Sequence, residues 1–159
     1  MPIANRPSPM AILGEAQMSS DIPNKLQLLV VSAERSLVNE IVDEVEVPGS
    51  EGYFGVLPGH TPLLALLGIG ELWYRQGTEF HYLAISNGFA EVQPGRVTIL
   101  AQIAERPDDI DVARAQAAKR RAEERLASEH PDMDYERARV ALMKSLIRLQ
   151  VAARAGVRG

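Results

Sequence analysis

His60, His81 and His130 are the only histidines of the chain, and it contains no cysteine. The histidines stand too far apart and too irregularly for a metal-ligand pattern. The missing thiols exclude a disulfide framework, a thiolate metal site and a cysteine nucleophile. There is no Gly-x4-Gly-Lys-Ser/Thr phosphate loop and no His-Glu-x-x-His. A Gly-x-Ser-x-Gly elbow is also missing. Gly68-Ile69-Gly70 lacks the third glycine and the following helix of a dinucleotide site. What remains is charge at helical spacing. Lys144 and Arg148 lie at i,i+4 and share a helical face, as do Asp111, Arg114 and Ala115 within one turn. The plain reading makes Asp111–Arg114 a helix-start ion pair and the second pair a solvated face. Independent catalysis has no support in these residues.

The elements that carry these charges differ along the chain. Residues 1–109 hold 6 basic and 14 acidic residues, and residues 110–159 hold 11 and 7, so the balance moves from −8 to +4. A change of sign at one point divides the chain into two units with different surroundings. The basic unit suits an acidic surface or a polyanion, or is simply an arginine-rich solvated pair of helices. No apolar run reaches the roughly 18–20 residues that span a bilayer, so no direct membrane insertion is expected. Nucleic acid is not an expected partner, because Tyr135 is the only aromatic residue in 110–159 and the stacking platform of single-strand binders is missing.

Residues 1–24 read as a disordered extension, with Pro2, Pro7, Pro9 and Pro23 and no apolar period. Met18 is an alternative start. Residues 25–106 read as short strands at 26–32, 41–47, 53–57, 63–67, 71–75, 80–85, 89–93 and 97–101. The punctuation is Pro48-Gly49, Pro58-Gly59, Gly68/Gly70, Gln76-Gly77, Asn87-Gly88 and Pro94-Gly95. Such spacing predicts an antiparallel β-sandwich or barrel. The pattern changes at Arg106-Pro107-Asp108-Asp109, where the aspartates are candidate N-caps. Residues 110–129 contain no glycine or proline, and Val112, Ala115, Ala118, Ala122 and Leu126 fall on one stripe. Pro131 breaks the chain, and a second helix starts at a cap supplied by Asp132 or Asp134. Its stripe is Tyr135, Ala138, Leu142, Leu146, Leu149 and Ala153, and Gly156 ends it. The result is an α+β chain: a sandwich at 25–106 and an antiparallel helical hairpin at 107–159. The first stripe is narrow and rich in alanine, so the hairpin is expected to be marginally stable by itself.

Several stretches, in collinear order over about 25–155, resemble the epsilon chains of bacterial F-type ATP synthases. They are Val31-Ser32-Ala33-Glu34, then Val47-Pro48-Gly49-Ser50-Glu51-Gly52-Tyr53-Phe54-Gly55-Val56-Leu57-Pro58-Gly59-His60-Thr61-Pro62-Leu63-Leu64, then Asn87-Gly88-Phe89-Ala90-Glu91-Val92, Val97-Thr98-Ile99-Leu100-Ala101 and Ile110-Asp111-Val112-Ala113-Arg114-Ala115. The second stretch is the most specific.

The resemblance implies a non-catalytic subunit of the proton-translocating enzyme, peripheral on the cytoplasmic side of the inner membrane. It implies contacts with the gamma subunit and the c-ring through Tyr53, Gly59 and His60. Some members carry an acid where this chain has Tyr53. The family's hairpin folds down on the sandwich or extends along gamma and opposes hydrolysis. In this chain Arg120, Arg121, Arg125, Arg137, Arg139 and Lys144 would then face acidic segments of the beta subunits. No cofactor is required. Some members bind regulatory ATP in the folded-down form, and matching residues give Glu105, Asp111, Arg114, Ala115, Lys144 and Arg148. ATP-binding members carry arginine at the position of Lys144, and lysine loses the bidentate fork. A stand-alone ATP-sensing or adaptor module is the rival reading.

Overall fold

The computed structural model describes residues 22–156. The extension expected over 1–24, and the alternative start at Met18, lie outside the described residues as far as Asp21. Seven strands follow: β1 (Leu26–Ser32), β2 (Ser36–Val42), β3 (Glu44–Gly49), β4 (Gly52–Val56), β5 (Leu63–Gln76), β6 (Glu79–Gln93) and β7 (Arg96–Glu105). They form one sheet in the order β2-β1-β7-β6-β5-β3-β4. Every pairing is antiparallel except β1 with β7, which is parallel. A 3-10 turn at Pro107–Asp109 leads into helices α1 (Val112–Ala127) and α2 (Tyr135–Ala155).

A single sheet becomes a sandwich by bending its longest strands. The expected breaks at Gly68/Gly70 and Asn87-Gly88 are bends inside β5 and β6 rather than ends of strands. The register of β6 on β7 skips Asn87, passing from Ser86↔Ile103 to Gly88↔Ala101. Asn87 takes φ 56 and its opposite Gln102 is skipped as well, so the strand bends there while the register is kept. Gly88 takes φ +123, and a Cβ there would stand 2.0 Å from the Leu100 carbonyl oxygen. Only glycine permits that approach. The expected strand at 41–47 is two strands, because Asp43 turns the chain between β2 and β3. Asp43 accepts from the Gly77 N–H at 2.7 Å and pairs with Lys25. Closure is completed where Gln76 of β5 donates to Glu40 at 2.8 Å and to the Ile41 carbonyl at 3.0 Å on β2.

Alternate residues point inward. Leu26, Leu28 and Val30 of β1 meet Val45 and Val47 of β3, Leu72 of β5, Leu83 and Ile85 of β6 and Ile99 of β7 in one dry core. Among the described residues, none of the hairpin belongs to that core. A second, smaller cluster joins Ala84 of β6 to Ile110 and Val151, with Tyr82, Ile147 and Ala152 around it. The helix caps are Asp111, whose carboxylate accepts the Arg114 N–H, and Asp134, which accepts that of Arg137. Asp108 and Asp109 therefore serve the 3-10 turn and not the helix. Of the two expected stripes, Ala115, Ala122 and Ala138 are buried, whereas Val112, Tyr135 and Leu146 are exposed. The shift has a cause: α2 packs on two surfaces, α1 on one side and the sheet on the other. Val151 and Ser145 therefore carry burial that a one-face stripe assigns elsewhere.

Asp43 is held below the ordinary carboxylate range by the Lys25 ammonium, then the Gly77 N–H. A lowered native value contributes stability above the unfolded value, which is lost as pH falls through the native one. Asp43→Asn is expected to lower the urea midpoint of the full chain at pH 7. The deficit should close progressively below about pH 4. An unchanged gap between the two proteins down to pH 2 would remove Asp43 as the titrating tie.

Candidate functional site

The hairpin lies against β5, β6 and the 3-10 turn, and its contact is organised by register. Glu71 on β5 pairs with Ala84 on β6, and Ala84 pairs with Glu105 on β7. These three side chains form a row across the sheet: acid, small apolar, acid. Opposite them α2 presents Arg154, Val151 and Arg148. Two strand spacings span roughly 9–10 Å, and six helical residues rise about 9 Å. The helix therefore matches the row residue for residue. Arg154 donates to Glu71 twice, Nη2 to Oε1 at 3.0 Å and Nε to Oε2 at 3.3 Å. Its guanidinium carbon lies 4.4 Å from the centre of the Tyr82 ring, a favourable cation–π position. The Glu71 hydrogen bond raises the Arg154 pKa further. Arg148 donates from Nη2 to Glu105 Oε2 at 2.9 Å, with Nε 2.8 Å from Oε1. Val151 fills the centre against Ala84 and Ile110.

Beside this row opens a cavity of about 550 Å³, within the range of small-ligand sites. Glu105, Arg114, Lys144 and Arg148 all line it. The structure thus brings together four of the six residues expected at a nucleotide site. The other two stand apart. Asp111 spends a carboxylate oxygen on the Arg114 N–H as the α1 cap, at 3.1 Å, and is not on the cavity wall. Ala115 is fully buried and leaves no surface for a ligand. Arg114 sits in the first turn of α1, where the helix dipole is positive. Its cation and the helix end therefore attract an anion together.

Tyr53 and the Gly59-His60 turn border different surface pockets. Tyr53 on β4 receives the Glu71 N–H on its hydroxyl at 3.1 Å and borders the Glu71–Arg154 pair. Gly59 and His60 stand beyond the other end of β4. Gly59 adopts φ +86 and donates its N–H to the Pro94 carbonyl at 2.8 Å. His60 is half-buried, its Nδ1 2.6 Å from the Thr61 carbonyl. Arg120, Arg121 and Arg125 are exposed on α1, and Arg137 is exposed at the start of α2. Arg139 is exposed too, paired with Glu136 at 2.7 Å. That pair raises the Arg139 pKa and lowers that of Glu136.

Two features lay outside the sequence expectation. The first is Arg154–Glu71. A lone glutamate inside Leu66–Tyr74, an otherwise apolar stretch, was the available signal, since a buried carboxylate needs a partner. The second is an apolar row on the outer sheet face: Leu66 pairs with Phe89, and Phe89 with Leu100. They are 57%, 51% and 52% exposed. Leu64, two residues away, shares that face. The run Leu63-Leu64-Ala65-Leu66-Leu67, apolar at odd and even positions alike, pointed to a strand with two buried faces.

Residues 25–107 match the family described as the ATP synthase delta/epsilon chain β-sandwich domain, and 108–153 match its long α-helix domain. An ATP synthase epsilon chain of Syntrophotalea carbinolica is 48% identical over 133 residues, covering 83% of this chain and 96% of its own. One from Nitratidesulfovibrio vulgaris is 46% identical over 130 residues, covering 82% and 97%. Among solved structures, a chain of the Euglena gracilis mitochondrial ATP synthase OSCP/F1/c-ring assembly superposes with a TM-score of 0.70 at 25% identity. That match covers 86% of this chain and 84% of the other.

The two partners of the Glu71–Arg154 pair are unequal. The Glu71 side chain is 7% exposed and that of Arg154 is 41% exposed. Arg154→Ala strands a carboxylate under α2, whereas Glu71→Gln leaves a cation that reaches water. Arg154→Ala is therefore expected to shift the hairpin away from the sheet more than Glu71→Gln, by about 1–3 kcal/mol. Amide exchange of α2 in the full chain measures it. Equal effects of the two substitutions would contradict the asymmetry.

Proposed function

The chain belongs to the ATP synthase delta/epsilon family, and from that premise we propose that it works as a non-catalytic central-stalk subunit of a proton-translocating ATP synthase. In this reading the sandwich packs on the gamma subunit and the c-ring, and the hairpin restrains ATP hydrolysis. The observation that carries it is the exposed row Leu66, Phe89 and Leu100 with Leu64 beside it. Contiguous exposed apolar surface marks a protein contact, and this row lies on the sandwich, away from the hairpin's own docking row. The loop at Gly59 and His60 supplies a second, smaller contact toward the ring.

No helix among the described residues is long and apolar enough to cross a membrane. Attachment to the cytoplasmic side of the inner membrane then comes through the partners. When the hairpin leaves the sheet, Arg120, Arg121, Arg125, Arg137 and Arg139 become its basic surface toward acidic segments of the beta subunits. Exposed pairs contribute about 0–1 kcal/mol each, so several must act together. The cavity with Arg114, Lys144 and Arg148 supports ATP as a regulatory ligand of the folded-down hairpin. A stand-alone ATP-sensing module would use that cavity but would leave the outer apolar row without a purpose.

Phe89→Asp puts a charge in the middle of the row. It is expected to weaken capture by gamma at least tenfold while the core, which Phe89 does not join, stays folded. Adding the chain to the catalytic head should slow ATP hydrolysis, and a chain lacking residues 110–159 should not. Isothermal calorimetry should register ATP binding that Arg148→Ala abolishes. Capture by gamma that ignores Phe89→Asp would sink the assignment of the row. No heat at millimolar ATP would remove the regulatory ligand.

A further inference from the structure

The cavity contains a cation that the expected nucleotide set omits. Arg35, in the turn between β1 and β2, lines it with Arg114, Lys144 and Arg148. Its Nη2 lies 2.5 Å from Oδ2 of Asp109 on the 3-10 turn. The other three cations all stand on the hairpin, Arg114 on α1 and Lys144 and Arg148 on α2. Arg35 is the only cation that the sandwich contributes to these walls among the described residues. The sandwich's own charged groups at the cavity are otherwise acidic, Glu34 and Glu105.

That asymmetry bears on what a bound polyphosphate can do. A ligand shifts a conformational equilibrium only by the difference between its affinities for the two states. A phosphate chain held by hairpin cations alone travels with the hairpin and does not favour the docked state, where Arg148 is already engaged by Glu105. Glu105, facing the same ligand from the sandwich, can accept from a ribose hydroxyl or the base amine but repels the phosphates. A phosphate gripped from both sides loses a contact whenever the hairpin leaves the sheet. The sandwich must therefore supply an attractive group, and Arg35 is placed to do so.

We propose that Arg35 is the residue that makes nucleotide binding depend on a docked hairpin. It exchanges Asp109 for a phosphate oxygen of the bound nucleoside triphosphate, so that the phosphates bridge the sandwich and the hairpin. This rests on the reading of the cavity as a nucleotide site. The exchange is feasible because the Arg35 and Asp109 side chains are 49% and 35% exposed, and an ion pair in water is held weakly. A guanidinium meets phosphate with two parallel hydrogen bonds, a better partner than one exposed carboxylate.

The test uses the full chain, with calorimetry for ATP affinity and amide exchange for docking of α2. In the wild type, ATP is expected to bind and to raise protection across α2. Arg35→Gln should weaken ATP about tenfold and lose most of the ATP-dependent gain in protection. Asp109→Asn breaks the same ion pair but frees Arg35, so it should keep or increase the ATP response. Arg35→Gln binding ATP as tightly as the wild type, with the same gain, would overturn the proposal. So would Asp109→Asn behaving like Arg35→Gln, because the ion pair and not a phosphate contact would then hold the hairpin. No heat in the wild type would overturn the nucleotide reading itself, a result distinct from failure at Arg35 alone.

Discussion

The docked hairpin depends on one match of spacings: the sheet row Glu71, Ala84 and Glu105 against the helix row Arg154, Val151 and Arg148. Strand separation and helix rise agree over that distance, so two ion pairs and one apolar contact form at once. Neither row is sufficient alone. The acids would cost free energy if buried under an apolar helix, and Val151 would have too little to cover if the charges were misplaced. Register specifies the position of α2, while the strength of the interface stays modest. Taking charged groups from water offsets much of the attraction between them, and the apolar cluster at the centre is small. The sandwich, by contrast, closes its core without any hairpin residue. A structure with a self-sufficient core and a weakly held appendage suits two states of similar free energy, between which contacts of a few kcal/mol decide.

The same geometry creates the cavity. Because α2 lies across the strands and α1 is joined to it by a short break, the first turn of α1 stands beside the end of β7. Arg114, Lys144 and Arg148 thereby reach one space, although they are separated in the chain. Glu105 belongs to both features, since it holds Arg148 for docking and borders the space where an anion would compete for Arg148. An anion bound there would be coupled to docking through one arginine on the hairpin, with Arg35 facing it from the sandwich.

Much of the fold was legible because glycine, proline and aspartate mark ends and bends for backbone reasons. The two helices, a cap at Asp132 or Asp134 and the sandwich all follow from such signals, and Asp134 is the residue that caps. The bends at Gly68 and Asn87-Gly88 look like strand ends in the sequence, since a bend inside a long strand and a turn use the same residues. Strand β2 was missed because Ser36, Asn39 and Glu40 face water on an edge and give no apolar alternation. For the site, the sequence grouped Glu105, Arg114, Lys144 and Arg148 through family likeness and helical spacing. Arg35 and the partner of Glu71 were not legible, because they depend on which elements become neighbours. Asp111 and Ala115 were legible as motif residues, yet one caps α1 and the other is sealed between helices.

We propose that the hairpin on the sheet is a released brake and the hairpin off the sheet an applied one. The chain has no cysteine, so a single engineered pair can fix it without side reactions. Ala84→Cys with Val151→Cys, at the middle of the two rows, would hold α2 on the sheet when oxidised. The account predicts that the oxidised chain, assembled with the catalytic head and gamma, leaves ATP hydrolysis uninhibited, and that reduction restores inhibition. Equal inhibition by the oxidised and reduced forms would contradict it.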